Sequence, residues 1–164
     1  MRVRRKTDEL EALYQARFGD FVRVATAITG SELYAVDVVQ ETFARAFASL
    51  DSFRGEAPLA GWVWRILVNT ARNHRSARTS EGEDDVLALA SLPASNGHGG
   101  DELGVRRWIA VLPERQRLAV FLRYFADLDY AAIAAVLEIE VGTVSATLSA
   151  AHRTLRRQLE EVPQ

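Results

Sequence analysis

Val36 to Arg78 reads VDVVQETFARAFASLDSFRGEAPLAGWVWRILVNTARNHRSAR, two amphipathic segments around a short polar break. In the first, Val36, Val39, Phe43, Phe47 and Leu50 recur at helical spacing and predict one apolar stripe. Asp37, Gln40, Glu41 and Arg45 fall outside that stripe and form a polar ridge. The break, Asp51-Ser52-Phe53-Arg54-Gly55-Glu56, has turn formers at both ends, and Pro58 sits where a first helical turn tolerates it. In the second segment Leu59, Val63, Ile66 and Thr70 are spaced to face a core. Arg65, Asn69, Arg72 and Ser76 share another face, with Arg75 and Arg78 close by. No Asp or Glu occurs between Ala57 and Arg78, so the helix is expected to carry four arginines unopposed. A basic helix beside a loop and two tryptophans, Trp62 and Trp64, suits a polyanion with exposed bases.

The ordered runs DVVQETFARAF, FRGEAPLAGWVWRI and NTARNH resemble region two of the small bacterial RNA polymerase sigma factors of the extracytoplasmic-function group. Further on, LPERQR, GTV and LRRQL resemble region four of the same factors. The two matches leave out only the connector and the extreme ends. The rival for this stretch alone is a generic helical bundle with a solvated basic face.

The composition is compatible with that reading. A chain of 164 residues can bury one or two small cores, and 48% apolar residues is a globular proportion. There is no Cys, so neither disulfides nor thiolate-held metal can staple the fold. The basic start MRVRRK is followed by a polar, acidic segment rather than an apolar one, so no signal peptide is read. No apolar run reaches the length of a membrane span, and the expectation is a cytoplasmic protein without membrane insertion. The net charge of −2 hides an asymmetry. Residues 1–78 hold 12 Lys and Arg against 9 Asp and Glu, residues 79–105 none against 6, and residues 106–164 hold 8 against 7. An acidic connector separates two mildly basic ends.

Ahead of the opening stretch, Thr7 is placed to cap a helix with Asp8 and Glu9 in its first turn. Leu10, Leu13, Tyr14, Phe18, Phe21, Val22, Ala25 and Ile28 continue an apolar face to Gly30, with Gly19-Asp20 as the expected break into two helices. Gly30 ends the run and Ser31 is the next cap. The expected organisation is all-α: a four-helix region-two domain over 1–78, a flexible acidic linker over 79–104, and a region-four helix-turn-helix domain over 105–164. In the linker, TSEGEDD and PASNGHGG are turn-rich, and only VLALASL between them could form a short helix. NGHGG lacks the preceding strand and the following Lys-Ser/Thr of a phosphate loop.

Beyond the linker a short helix with Val105, Trp108, Ile109 and Leu112 is expected, then one opened by Pro113-Glu114 with Val120, Phe121, Tyr124 and Phe125 on its apolar side. DYAAIAAVL, the turn at Glu138 to Val141, and GTVSATLSAAHRTLRRQL read as a helix-turn-helix. Ile133 and Leu137 are spaced to pack on Val144, Leu148, Ala151 and Leu155.

The resemblance implies a factor that binds core RNA polymerase and directs promoter recognition. It implies that Asp37, Gln40 and Glu41 dock on the clamp helices of the β′ subunit, with the β subunit as a further contact. It implies that Phe53, Arg54, Trp62, Arg65, Asn69, Arg72, Asn73 and Arg75 engage the melted minus-ten element. Opening DNA needs a place to stack an unpaired base and cations to hold the displaced backbone. Taken alone, Trp62 would more often be core than base platform, and it gains weight from its neighbours. For the minus-thirty-five element the corresponding residues are Arg123, Tyr130, Thr143, Ser145, Thr147, Ser149, His152, Arg153 and Arg156. Promoter DNA is thus an expected partner, and an anti-sigma factor is the further partner class the resemblance admits.

Two departures bear on the back half. The family usually carries Lys or Arg where this chain has Ser145, Thr147 and Ala150, and a Gly common in the turn is Glu138 here. Small polar side chains discriminate bases less well than bidentate Arg or Asn. Between Ile139 and His152 there is no cation, so weak duplex binding is expected. A stand-alone helix-turn-helix regulator is the alternative, but it leaves the front domain without a role. An enzyme is disfavoured: His74, His98 and His152 lie far apart, and no nucleophile or carboxylate–histidine motif frames them. Neither a cofactor nor a metal is expected.

Overall fold

A computed structural model describes residues 2–80 and 110–161. All of their regular structure is helical. Helix α1 spans Arg2–Thr29, α2 Glu32–Ala48 and α3 Leu59–Ser80, with a single 3-10 turn at Leu50–Ser52. After the connector come α4, Glu114–Tyr124, α5, Tyr130–Leu137, and α6, Val141–Glu160.

Helix α1 corrects the sequence reading in two places. It begins ahead of Thr7, which therefore lies inside the helix rather than capping it, and it runs unbroken through Gly19-Asp20. The reason is local. The Asp20 carboxylate accepts from Arg17 Nε at 2.8 Å and from Arg23 Nη1 at 3.2 Å, both three residues away on the same helix. Such pairs support a helix rather than end it. From Val24 to Ile28 every side chain is buried, and that burial outweighs the helix cost of one glycine. Thr26 and Thr29, buried among them, bond back to the carbonyls of Val22 and Ala25. Gly30, at φ +75°, stops the helix as expected, and Ser31 is the N-cap of α2.

On α2 the expected stripe is buried at Val39 and Phe43, with Leu50 buried just beyond, but the face is turned away from Val36 and Phe47. Its buried residues are Ala35, Val38, Val39, Thr42, Phe43 and Ala46; Val36 is half-buried and Phe47 exposed. The face mixes small residues with Val38, Val39 and Phe43, because α2 packs on both α1 and α3. Thr42 joins it by donating its hydroxyl to the Val38 carbonyl at 2.7 Å. In α3 the buried set is Leu59, Val63, Trp64, Leu67, Val68, Thr70 and Ala71, with Ile66 only half-buried. Trp64 stacks on Phe21 with centroids 4.0 Å apart, and Phe43 meets Phe21 edge-on at 5.1 Å. This aromatic cluster joins the first three helices.

In the second unit Leu118 to Leu122 of α4, Ile133, Val136 and Leu137 of α5, and Val144, Leu148 and Ala151 of α6 share a core with Leu112. Tyr124 is exposed, contrary to its expected place on the apolar side of α4. Asp129 caps α5 by accepting from the Ala132 amide at 2.8 Å. The α5 and α6 axes are bent by 97°, and Glu138 makes the turn at φ +56°, ψ +46°. The helix-turn-helix is therefore formed as expected. The short helix expected around Val105, Trp108 and Ile109, the segment VLALASL and most of the acidic connector lie outside the described residues. No single helix among the described residues is long and apolar enough to cross a membrane.

The two units pack on each other: α1 meets α4, and α3 meets α5. Arg17 of α1 donates to the Phe125 carbonyl just past α4, and the Arg23 guanidinium lies 5.4 Å from the Phe125 ring centroid. A cation at a helix C-terminus meets unpaired carbonyls and the negative end of the dipole.

Candidate nucleic-acid and polymerase interface

The loop between α2 and α3 brings Phe53 and Trp62 together, both half-buried, with centroids 5.1 Å apart and planes tilted by 37°. Gly55, at φ +77°, supplies the left-handed residue that turns this loop. Lys6 of α1 anchors it, donating to the Phe53 carbonyl at 2.7 Å with its ammonium 5.3 Å from the Phe53 ring centroid. The two tryptophans therefore divide: Trp64 is core and Trp62 borders solvent. Phe53, Arg54, Trp62 and Arg65 line a cleft of about 480 Å³ whose far wall is Ala131, Ala132 and Ala135 of α5. An aromatic pair at the mouth of a cleft beside cations can hold a flat, electron-rich ring.

Asn69 and Asn73 are exposed on α3. The arginines of that helix are opposed, which corrects the sequence reading. Arg65 Nη2 reaches Glu138 Oε1 at 2.7 Å, and Glu114 takes Arg72 Nε at 3.4 Å and Arg75 Nη1 at 3.6 Å. Arg78 turns the other way, donating to the Thr29 carbonyl at 3.0 Å with its guanidinium 3.9 Å from the Tyr34 centroid. The carboxylates missing from α3 itself are supplied by the second unit, a pairing that no local pattern announces.

On α2, Asp37 and Gln40 are exposed and Glu41 half-exposed, so the ridge exists as expected. Glu41 also organises its surroundings. It accepts from Arg45 at 2.6 Å, and its second oxygen lies 3.1 Å from His74 Nε2 of α3. His74 is thus tied to the ridge.

On α6, Ser145, Ser149, His152, Arg153 and Arg156 are exposed, and Thr143 is half-buried. Arg123 and Tyr130 are exposed on α4 and α5. Thr147 is an exception: it is buried, with its hydroxyl donating to the Thr143 carbonyl at 2.6 Å. His152 Nε2 lies 3.0 Å from the Tyr124 hydroxyl, which orients the ring. The outward face of the helix's first three turns is uncharged. Replacing Ser145 and Ser149 by Arg should therefore raise duplex affinity and steepen its salt dependence by about one unit per added phosphate contact. Anisotropy titrations of labelled duplex across a salt series check this, and an unchanged slope would remove this face from the duplex contact.

Residues 13–81 match the family model for sigma-70 region 2, and residues 103–155 that for sigma-70 region 4. The chain is 34% identical over 139 residues to the ECF RNA polymerase sigma-E factor of Escherichia coli strain K12, a match that spans 76% of this chain and 73% of that protein. The RNA polymerase sigma-H factor of Pseudomonas aeruginosa is 33% identical over 141 residues, spanning 77% and 73%. Among solved structures, the sigma factor RpoE from Bartonella quintana, crystallised with the anti-sigma factor NepR, superposes with a TM-score of 0.80. That alignment has 24% identity and covers 94% of this chain and 99% of that one. CnrH in complex with the cytosolic domain of CnrY superposes with a TM-score of 0.68 at 22% identity, over 96% and 91%.

Proposed function

The chain belongs to the extracytoplasmic-function sigma factors of the sigma-70 family, which act with core RNA polymerase in transcription initiation, and on that premise we propose how its surfaces divide the work. Residues 1–78 bind the polymerase and open the minus-ten element, and residues 105–164 read the minus-thirty-five element. The observation that carries this is the Phe53–Trp62 pair, which stands at solvent beside Arg54 and Arg65 while the neighbouring Trp64 is buried.

In this reading an unpaired minus-ten base enters between the loop and the first turn of α3, against Phe53 and Trp62. Arg65, Arg72 and Arg75 hold the displaced backbone, with Asn69 and Asn73 as polar contacts between them. A guanidinium forks well onto phosphate oxygens, so the arginines position the strand while the aromatic pair captures the base. Asp37, Gln40 and Glu41 form the polar contact with the β′ clamp helices. On α6 the exposed Ser145, Ser149 and His152 face the major groove, and Arg153 and Arg156 reach the backbone beyond. An anti-sigma factor is a proposed partner, since the similar sigma factor RpoE was crystallised with the anti-sigma factor NepR.

The test of the premise is capture with core polymerase followed by transcription from a genomic promoter library. Asp37→Lys with Gln40→Lys changes two exposed side chains on a helix whose other side supplies the core, so helicity should be retained. Affinity for core polymerase is expected to fall at least tenfold, since like charges set against a polar interface are costly. Undiminished affinity in the well-folded variant would remove the ridge from the interface.

A further inference from the structure

We propose that the arginine face of α3 is also the docking surface for the chain's own helix-turn-helix unit, with Glu138 and Glu114 as a carboxylate latch that must release before nucleic acid is held there. The inference rests on the reading of α3 as the strand-holding helix. All three arginines given to phosphates in that reading face carboxylates of the second unit: Arg65 meets Glu138 at 2.7 Å, and Glu114 takes Arg72 at 3.4 Å and Arg75 at 3.6 Å. A carboxylate oxygen and a phosphate oxygen accept the same guanidinium hydrogens, so the two occupancies compete. The cleft beside Phe53 and Trp62 is walled by Asp129, Ala131, Ala132 and Ala135 on its far side. A strand entering that cleft meets α5 in its path.

Glu138 has a second peculiarity that points the same way. It sits at φ +56°, a conformation in which glycine is free and a β-carbon is disfavoured. A glutamate there costs local stability, and what it gains over glycine is a side chain that reaches Arg65 across the interface. Glu114 lies in the first turn of α4, where a carboxylate is favoured by the helix dipole on its own account, so Glu138 is the more informative of the two. On the α1 side Arg17 donates to the Phe125 carbonyl and lies 3.7 Å from Asp127, a second cationic clasp on the same unit.

The Arg65–Glu138 pair is exposed, with half of the Arg65 side chain and 63% of that of Glu138 open to solvent, and the two pairs to Glu114 are half-buried. Such pairs are individually weak and screened by salt, which makes the contact reversible. A polyanion of higher charge density, or polymerase drawing the two units apart, releases it.

The experiment uses the full chain with Glu138→Gly and Glu114→Gln, and Glu140→Gln as control. Gly suits the backbone at 138, so helicity by circular dichroism should match the parent. Glu140 carries the same charge in the same turn and makes no ion pair among the described residues. Small-angle scattering reports overall dimensions at low and high salt, and anisotropy reports binding of a labelled single-stranded oligodeoxynucleotide. The double variant is expected to be expanded at low salt, as the parent becomes at high salt, and to bind the oligonucleotide about two- to tenfold tighter. Glu138→Arg should also expand the chain, and adding Arg65→Glu should restore the compact form. Unchanged dimensions in the double variant would overturn the latch. Tighter binding matched by Glu140→Gln, without expansion, is a general charge effect and would overturn it too. Expansion without tighter binding would leave the closed contact standing and overturn the strand-holding reading instead.

Discussion

Phe53→Ala is expected to lower open-complex formation on a cognate promoter by about 1–3 kcal/mol, roughly five- to 150-fold, the range for losing one stacked base. The same range applies to Trp62→Ala. Both rings are half-buried, Phe53 in the loop held by Lys6 and Trp62 in the first turn of α3, and neither is part of the buried Phe21–Phe43–Trp64 cluster, so the melting temperature should move less than for a fully buried ring. Because the two rings touch at 5.1 Å between centroids, the double variant should lose less than the sum of the single losses. Permanganate reactivity of unpaired thymines, read beside a thermal melt of each variant, makes the measurement. Normal opening by a stable Phe53→Ala protein would exclude Phe53 from base capture.

Trp64→Ala is expected to do the reverse. It removes a fully buried ring stacked at 4.0 Å on Phe21, at the junction of α1, α2 and α3. Truncating a buried aromatic costs about 3–5 kcal/mol, through lost transfer energy and the cavity left behind. That is a large share of the stability of a domain this size. Chemical denaturation should show an early transition for the first unit, and purified protein should be depleted of folded material at growth temperature. A midpoint within about 1 kcal/mol of the parent, on the usual scale for tolerated core changes, would mean that the cluster repacks and that Trp64 does not hold the unit together. The contrast between positions 62 and 64 is the sharper test, since both are tryptophans two residues apart on one helix.

That contrast also marks the boundary of what a one-dimensional reading can supply. Tryptophans at 62 and 64 both bordered a loop and a basic helix in the sequence, and nothing in their spacing said which one faced Phe21. The face of α2 is partly legible for a related reason. Periodicity locates Val39 and Phe43, but the apolar Val36 and Phe47 draw the stripe to one side of the full face of Ala35, Val38, Val39, Thr42, Phe43 and Ala46. When a helix packs on two neighbours, small residues mark the contact as much as large ones do. The resemblance sets Thr147 among the minus-thirty-five residues, yet it is buried with its hydroxyl satisfied by the Thr143 carbonyl. A threonine in a helix can be made apolar in this way by its own backbone.

Much else follows from local chemistry that the chain carries in order. Gly30 and Pro58 punctuate helices through their own backbone preferences, each at the end or start expected of it, and Asp129 caps α5 by the same local chemistry. The helix-turn-helix, the polar ridge and the aromatic loop are legible for the same reason, since spacing within a helix or a short turn sets them. The state of the arginine face is of another kind. Arg65 finds Glu138 across 73 residues and Arg72 finds Glu114 across 42, with the connector between them in sequence. Ion pairs at such separations depend on how two independently formed units come to rest, and short-range propensity contains no term for that. A helix that carries no acid of its own among its arginines meets two carboxylates on the neighbour folded onto it.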